Sequence, residues 1–162
     1  MDNLLRLRGA GLFATLLLLL SVATSCTGKQ ANASSRFSFK STSGEMQDTT
    51  QFIGKPLVVN FWADWCPPCK AELPDLNASY EAHKSDFNMI AVSMESSQDP
   101  DGYWQQQGYT IPMYHDVDGA SKFAIQYIPT TLFIDAQGNV VDTASGAISK
   151  EDFEQRLAKL LQ

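Results

Sequence analysis

The sequence predicts an α/β domain: a central mixed β-sheet with helices on both faces. Leu57–Trp62 (LVVNFW) is an almost unbroken apolar run, the pattern of a strand covered on both sides. From Leu57 onward, strand-type and helix-type segments follow one another in the order β-α-β-α-β-α-β-β-α. Near the C-terminus, two strand-type runs flank Asp135-Ala136-Gln137-Gly138-Asn139, a turn signal that predicts a hairpin.

Each element has its own warrant. Phe37-Ser38-Phe39 alternates apolar and polar residues, a short strand ahead of the main run. Pro67 to His83 reads as a helix with Leu73, Leu76 and Tyr80 on one stripe, and Pro74 inside it predicts a kink. Phe87–Met94 is the next strand. Asp99 to Gln107 is a helix around Tyr103 and Trp104, and Ile111–His115 is short and extended. Phe123 and Tyr127, spaced i, i+4, extend a predicted helix over Gly119–Tyr127. Thr130–Asp135 and Val140–Ala144 are the arms of the hairpin. Ser149, with Asp152 three residues on, opens a last helix whose apolar face is Phe153, Leu157, Leu160 and Leu161.

The first 25 of the 162 residues stand apart from this domain. Arg6 and Arg8 precede an apolar stretch from Leu12 to Ala23, and small residues then lead to Cys26. A basic start, a short apolar segment and a small-residue processing site make a signal peptide over 1–25. The apolar part is shorter than the ~20 residues of a membrane span, so a retained signal anchor is the alternative. Ala23-Thr24-Ser25-Cys26 resembles a bacterial lipobox with alanine in place of the usual leucine. On that reading Cys26 is the lipidated first residue of the mature protein, which also accounts for an odd cysteine in an exported chain. Residues 26–35 are polar and small, a flexible tether of roughly 15–18 Å reach, and the domain occupies 36–162.

Beyond Cys26 there are 10 Lys and Arg against 17 Asp and Glu, a net charge of −7. That balance argues against nucleic acid as a partner and offers no polybasic membrane patch. One domain of this length builds its own core. Two cysteines within it are too few for a structural disulfide scaffold.

Those two cysteines lie in Trp65-Cys66-Pro67-Pro68-Cys69, directly after the central strand and at the start of a helix. Paired thiols at this spacing can cycle between dithiol and disulfide. Cys66 falls at the helix N-cap with Pro67 at N1. The positive helix end stabilises a thiolate there, making Cys66 the attacking thiol, and Cys69, one turn further in, the resolving one. Neither Pro67 nor Pro68 has an N–H, and the loop holds no histidine. The Cys66 thiolate is thus less stabilised, which points to an electron donor rather than an oxidant. Zinc would need four ligands, and His83 and His115 show no paired spacing. A c-type haem would need histidine where Lys70 stands. Copper(I) on the two soft sulfurs stays open as an alternative function, as does a disulfide oxidase or isomerase using the same pair. A Thr-x-x-Cys peroxidase pattern does not precede the pair.

VVNFWADWCPPCKAELP, followed about sixty residues later by YIPTTLFIDAQGNVV, resembles the thioredoxin superfamily and, more closely, its TlpA/ResA branch of exported or membrane-tethered thiol-disulfide oxidoreductases. The resemblance spans Arg36 to Leu161 and implies a thioredoxin-like fold. It implies that Cys66 and Cys69 are the redox disulfide, flanked by Trp65, Pro67 and Pro68. It also implies that Pro129 is cis, holding the Ile128 backbone beside Cys66 to pair with an extended client. Glu72 matches the branch's Cys-x-x-Cys-x-x-Glu pattern, and one helical turn from Cys69 it could relay a proton; a solvated carboxylate on the helix face is the plain alternative. Asn60 stands where thioredoxin has a buried aspartate, which removes that proton acceptor. The implied clients are extracytoplasmic proteins with disulfides, apocytochrome c among them. The implied electron donor is a membrane thiol transporter of the DsbD/CcdA type. The expected protein is a monomer, anchored at its N-terminus on the periplasmic or extracytoplasmic face, that works without a cofactor.

Overall fold

A computed structural model of the chain describes residues 35–94 and 96–162. The signal segment, Cys26 and most of the tether lie outside them. Seven strands form one sheet in the order β2-β1-β5-β4-β3-β6-β7. They are β1 (Ser38–Ser41), β2 (Met46–Asp48), β3 (Leu57–Trp62), β4 (Asn88–Ser93), β5 (Met113–Asp116), β6 (Thr130–Ile134) and β7 (Val140–Ser145). The helices are α1 (Pro67–His83), α2 (Pro100–Gln107), α3 (Gly119–Lys122) and α4 (Lys150–Leu160). β3, β4 and β5 run parallel, whereas β6 pairs antiparallel with β3 and β7 antiparallel with β6. This is the mixed sheet and C-terminal hairpin that the sequence predicts.

All six residues of β3 are buried, because each face of the strand meets its own core. Val58 and Trp62 point into a cluster with Leu73 and Leu76 of α1, Phe87, Phe133, and Phe153 and Leu157 of α4. Leu57, Val59 and Phe61 point the other way, into a cluster with Phe37, Phe39, Ile90 and Leu132 that Phe123 and Ala120 help to cover. Alternation along a strand assigns Asn60 to the row of Val58 and Trp62, the α1 side. It is the polar residue of that buried row.

α1 runs continuously through Pro74, and its buried residues are Cys69, Glu72, Leu73, Leu76 and Ser79. Their i, i+3, i+4, i+7 spacing is one helical stripe. Glu72 therefore lies on the face packed against the sheet, not on the solvated face that the plain reading of this residue supposes. Ser149 caps α4 by accepting from Asp152 N at 3.1 Å. α4 ends at Leu160, so Leu161 is a largely exposed cap and not part of the apolar face.

Three differences from the sequence reading concern short elements. β1 begins one residue later than expected and pairs with both β5 and β2, the latter a three-residue strand whose Met-Gln-Asp carries no pattern. The helix expected over Gly119–Tyr127 ends at Lys122. Ala124 turns into the left-handed region at φ 49°. A helix is also disfavoured just ahead, because the ring of Pro129 crowds the helical conformation of Ile128. Phe123 makes an edge contact with Phe37, 5.6 Å between ring centroids, while Tyr127 is left exposed. Their spacing was therefore not a helical stripe.

Candidate active site

The site forms where β3 ends and α1 begins. Ala63 carbonyl accepts from Cys66 N at 3.1 Å, so the chain turns tightly and Cys66 becomes the N-cap of α1. Pro67 and Pro68 take the next two positions, whose amides would be unpaired in a helix anyway. Cys69 N, the first amide after them, approaches Cys66 Sγ at 3.3 Å. Cys66 and Cys69 are joined as a disulfide with Cα atoms 5.3 Å apart. Both are buried: Cys66 is 2% exposed and Cys69 fully enclosed, a difference in the expected sense but a small one.

The segment before β6 closes the other side. The Ile128–Pro129 peptide bond is cis, and the Ile128 carbonyl oxygen lies 3.8 Å from Cys66 Sγ. Trp65 is half exposed, and its Nε1 donates to Ser96 O at 3.1 Å. Trp65, Ile128, Tyr127 and Met94 edge a shallow groove of about 190 Å³. Larger recesses of about 670 and 690 Å³ adjoin it, the first sharing Tyr127 and the second Met94, and none of the three is lined by either cysteine. Asp64 ties this rim together. Its carboxylate accepts from Asp99 N at 2.7 Å and from Gln98 N at 3.1 Å. Partial desolvation pushes the Asp64 carboxyl up, and the backbone donors outweigh it and hold the carboxyl below its usual value.

Beneath Cys69, Glu72 is buried and doubly bonded. Its Oε1 accepts from Asn60 Nδ2 at 2.9 Å and its Oε2 from Ile148 N at 2.9 Å. Burial raises the Glu72 carboxyl above the ordinary glutamate value in spite of these two donors. The other Asn60 N–H meets Thr131 Oγ1 at 3.0 Å, and Asn60 Oδ1 has no hydrogen-bond partner among the described residues.

The structure thus brings together Trp65, Cys66, Pro67, Pro68, Cys69, Ile128 and Pro129 at the rim, with Glu72 directly below on the same helix. The sequence reading noted Asn60 but not its bond to Glu72; the signal was one polar residue inside an apolar strand. Ile148 contributes through its backbone, and Asp64 through backbone partners 34 and 35 residues away, which no side-chain pattern announces. Among the described residues no group of three or more His, Cys, Asp or Glu side chains converges as a metal site. Reduced, Cys66 and Cys69 would offer a two-sulfur pair suited to a soft ion.

The chain matches the AhpC/TSA family over residues 28–143. It is 32% identical over 131 residues to the thiol-disulfide oxidoreductase ResA of Oceanobacillus iheyensis, covering 76% of this chain and 68% of that one. Among solved structures it resembles a thioredoxin-family thiol:disulfide interchange protein from Chlorobium tepidum (TM-score 0.71, 29% identity, 82% of this chain and 98% of that one). It also resembles the exposed lipoprotein thioredoxin Etrx1 of Streptococcus pneumoniae (TM-score 0.68, 26% identity, 77% and 99% covered). The chain belongs to the AhpC/TSA family and has the thioredoxin-like fold.

Proposed function

We propose that the chain is an extracytoplasmic thiol-disulfide oxidoreductase that reduces protein disulfides through a Cys66/Cys69 cycle. The observation that carries this reading is the pair itself: a disulfide at a helix N-terminus, with Cys66 Sγ beside the Ile128 carbonyl at the edge of an exposed groove. Its relatives are named thiol-disulfide oxidoreductases.

In the cycle, the Cys66 thiolate attacks one sulfur of a client disulfide, forming a mixed disulfide and releasing the other client sulfur as a thiolate. The Cys69 thiol gives its proton to the Glu72 carboxylate and attacks Cys66 Sγ. The Cys66–Cys69 disulfide forms, and the second client sulfur leaves as a thiolate. Protons from Cys66 and Glu72 complete the client dithiol, so two electrons and two protons pass to the client. Trp65 and the Ile128–Pro129 segment would hold the client extended, with backbone pairing at Ile128. Pro67 and Pro68 would keep the Cys66 thiolate reactive by withholding two helix amides from it.

Apocytochrome c is the proposed client class, and a membrane thiol transporter of the DsbD/CcdA type the proposed source of electrons. The export signal over 1–25, a lipidated Cys26 and the tether to residue 35 would place the domain at the outer face of a membrane. The likeness to an exposed lipoprotein thioredoxin supports that placement.

A redox titration of the purified full chain in thiol buffers, with free Cys66 and Cys69 trapped by alkylation, tests the direction. A midpoint at or below about −250 mV is expected for an electron donor. A midpoint near about −120 mV would make it an oxidant, and no reversible two-electron transition would favour copper. Glu72→Gln should slow resolution by Cys69 by about 10²-fold or more and remove the acid limb of its pH profile. An unchanged rate and profile would refute the proton role.

A further inference from the structure

The hydrogen bonds around Glu72 constrain where its proton can sit, and through that they constrain Asn60. Ile148 N–H donates to Oε2, so that oxygen must remain an acceptor whether Glu72 is charged or neutral. A carbonyl oxygen accepts better than a hydroxyl oxygen, so a proton taken up by Glu72 is favoured on Oε1, the oxygen that faces Asn60. In the observed arrangement Asn60 presents its amide N–H to Oε1, which suits a carboxylate. Against a protonated Oε1 the same arrangement opposes two donors. Asn60 carries the remedy on its own side chain: its Oδ1 is fully buried and has no partner among the described residues. Rotating the amide by 180° brings Oδ1 to Oε1–H. It also brings Oδ1 to Thr131 Oγ1, a hydroxyl that accepts in one orientation and donates in the other. At the opposite end no group among the described residues holds Oδ1, so the turn breaks no bond there, but the turned Nδ2 gains no acceptor there either, a cost set against the bonds formed to Oε1–H and Thr131.

We propose that Asn60 is a positioning residue whose side-chain amide turns over with the proton on Glu72, offering N–H to the carboxylate and C=O to the acid. This deepens the proposed role of Glu72 as acceptor of the Cys69 proton and rests on that reading for its place in the cycle. Before resolution the amide holds an anion ready to accept. Once the proton arrives, the turned amide accepts the Oε1–H and holds the acid until the proton leaves. A hydrogen bond to a charged group is the stronger of the two, so Asn60 favours the carboxylate on balance.

The contact holds few competing groups. β3 brings Asn60, β6 brings Thr131, the segment before α4 brings Ile148 N–H, and α1 brings Cys69, which does not titrate while disulfide-bonded. Lys70, two residues before Glu72 on α1, is half-buried with its Nζ 5.5 Å from the centroid of the Tyr103 ring, and Asp75 on α1 and Lys150 at the start of α4 are both exposed.

The test is an NMR titration of the oxidised, isotope-labelled full chain, following the Glu72 carboxyl carbon and the Asn60 side-chain amide. The two are expected to move with one midpoint. Cross-peaks from the Asn60 amide protons to Thr131 should be present above that midpoint and lost below it. Glu72→Gln must keep its carbonyl toward Ile148 N–H and turn its NH₂ to Asn60, so it should show the low-pH pattern at every pH. Cross-peaks to Thr131 that persist while Glu72 titrates, or the high-pH pattern in Glu72→Gln, would overturn the proposal. As a second readout, Asn60→Ala should move the acid limb of the exchange rate upward by about one pH unit, the worth of one charge-assisted hydrogen bond. It should move nothing in a Glu72→Gln background. If Glu72→Gln leaves exchange untouched while the amide still turns, the role of Glu72 in the cycle fails and this inference stands. If Glu72 governs exchange and the amide stays fixed, this inference alone fails.

Discussion

Replacing Asp64 by alanine removes one carboxylate and two backbone attachments at once. The loop after β4 reaches α2 through Gln98 and Asp99, and both of their N–H groups end on Asp64. No helix or strand supplies those amides with another acceptor, so in the variant they turn to water and the loop loses its tie to the redox turn. A hydrogen bond to a charged group contributes about 1.5–3 kcal/mol when buried. Asp64 is only partly buried, and solvent screens it, so about 1–2 kcal/mol for the pair together is the appropriate scale. For a domain of this size that corresponds to a fall in melting temperature on the order of 5 °C.

The pH dependence gives this prediction its sharper edge. The folded Asp64 carboxyl lies below its ordinary value of 3.8, because the backbone donors outweigh desolvation. A lowered carboxyl stabilises the fold above the unfolded value and loses that contribution as pH falls through the folded one. The gap between wild type and Asp64→Ala should therefore be full at pH 7 and narrow progressively as pH falls below 3.8. Thermal unfolding followed by tryptophan fluorescence at a series of pH values measures it. Other carboxylates with lowered values, such as Asp48 and Asp135, act equally on both proteins and cancel in the difference. Equal melting temperatures at pH 7, or a gap that keeps its size down to strongly acid pH, would refute the reasoning.

Two further predictions test other levels of the structure. Pro68→Ala adds an N–H at the second position of α1, aimed at the Cys66 sulfur; one added charge-assisted bond should raise the redox midpoint by roughly 30 mV, and an unchanged or lower midpoint in the same thiol buffers would remove the argument from the two prolines. Phe153→Ala empties a fully buried site between Phe87 and Phe133 and should cost about 3–5 kcal/mol in denaturant unfolding; a loss under about 1 kcal/mol would mean that α4 is not anchored there.

The long elements were legible because burial and period agree in them. β3 is apolar throughout since both of its faces meet a core, and α4 shows its stripe since one face does. The short elements were not. Met46–Asp48 is a strand by virtue of its pairing with β1, a long-range fact with no local sign. The stretch after Lys122 looked helical because Phe123 and Tyr127 share a spacing, yet Phe123 packs on Phe37 and the chain opens at Ala124 to deliver Ile128 beside Cys66.

The site divides in the same way. Cys66, Pro67, Pro68, Cys69 and Glu72 lie on one turn and one helix, so their spacing states their relation. What surrounds Glu72 comes from three further places in the chain: Asn60 from the central strand, Thr131 from its antiparallel neighbour, and the Ile148 amide from the approach to α4. Antiparallel register sets Asn60 directly opposite Thr131, and the α1 stripe turns Glu72 toward both. Asn60 read by itself suggested only that a proton acceptor was missing. In the folded chain its amide bonds the carboxylate that lies one turn beyond Cys69. On the proposed reading the acceptor sits on the helix rather than the strand, and the strand residue is the group that orients it.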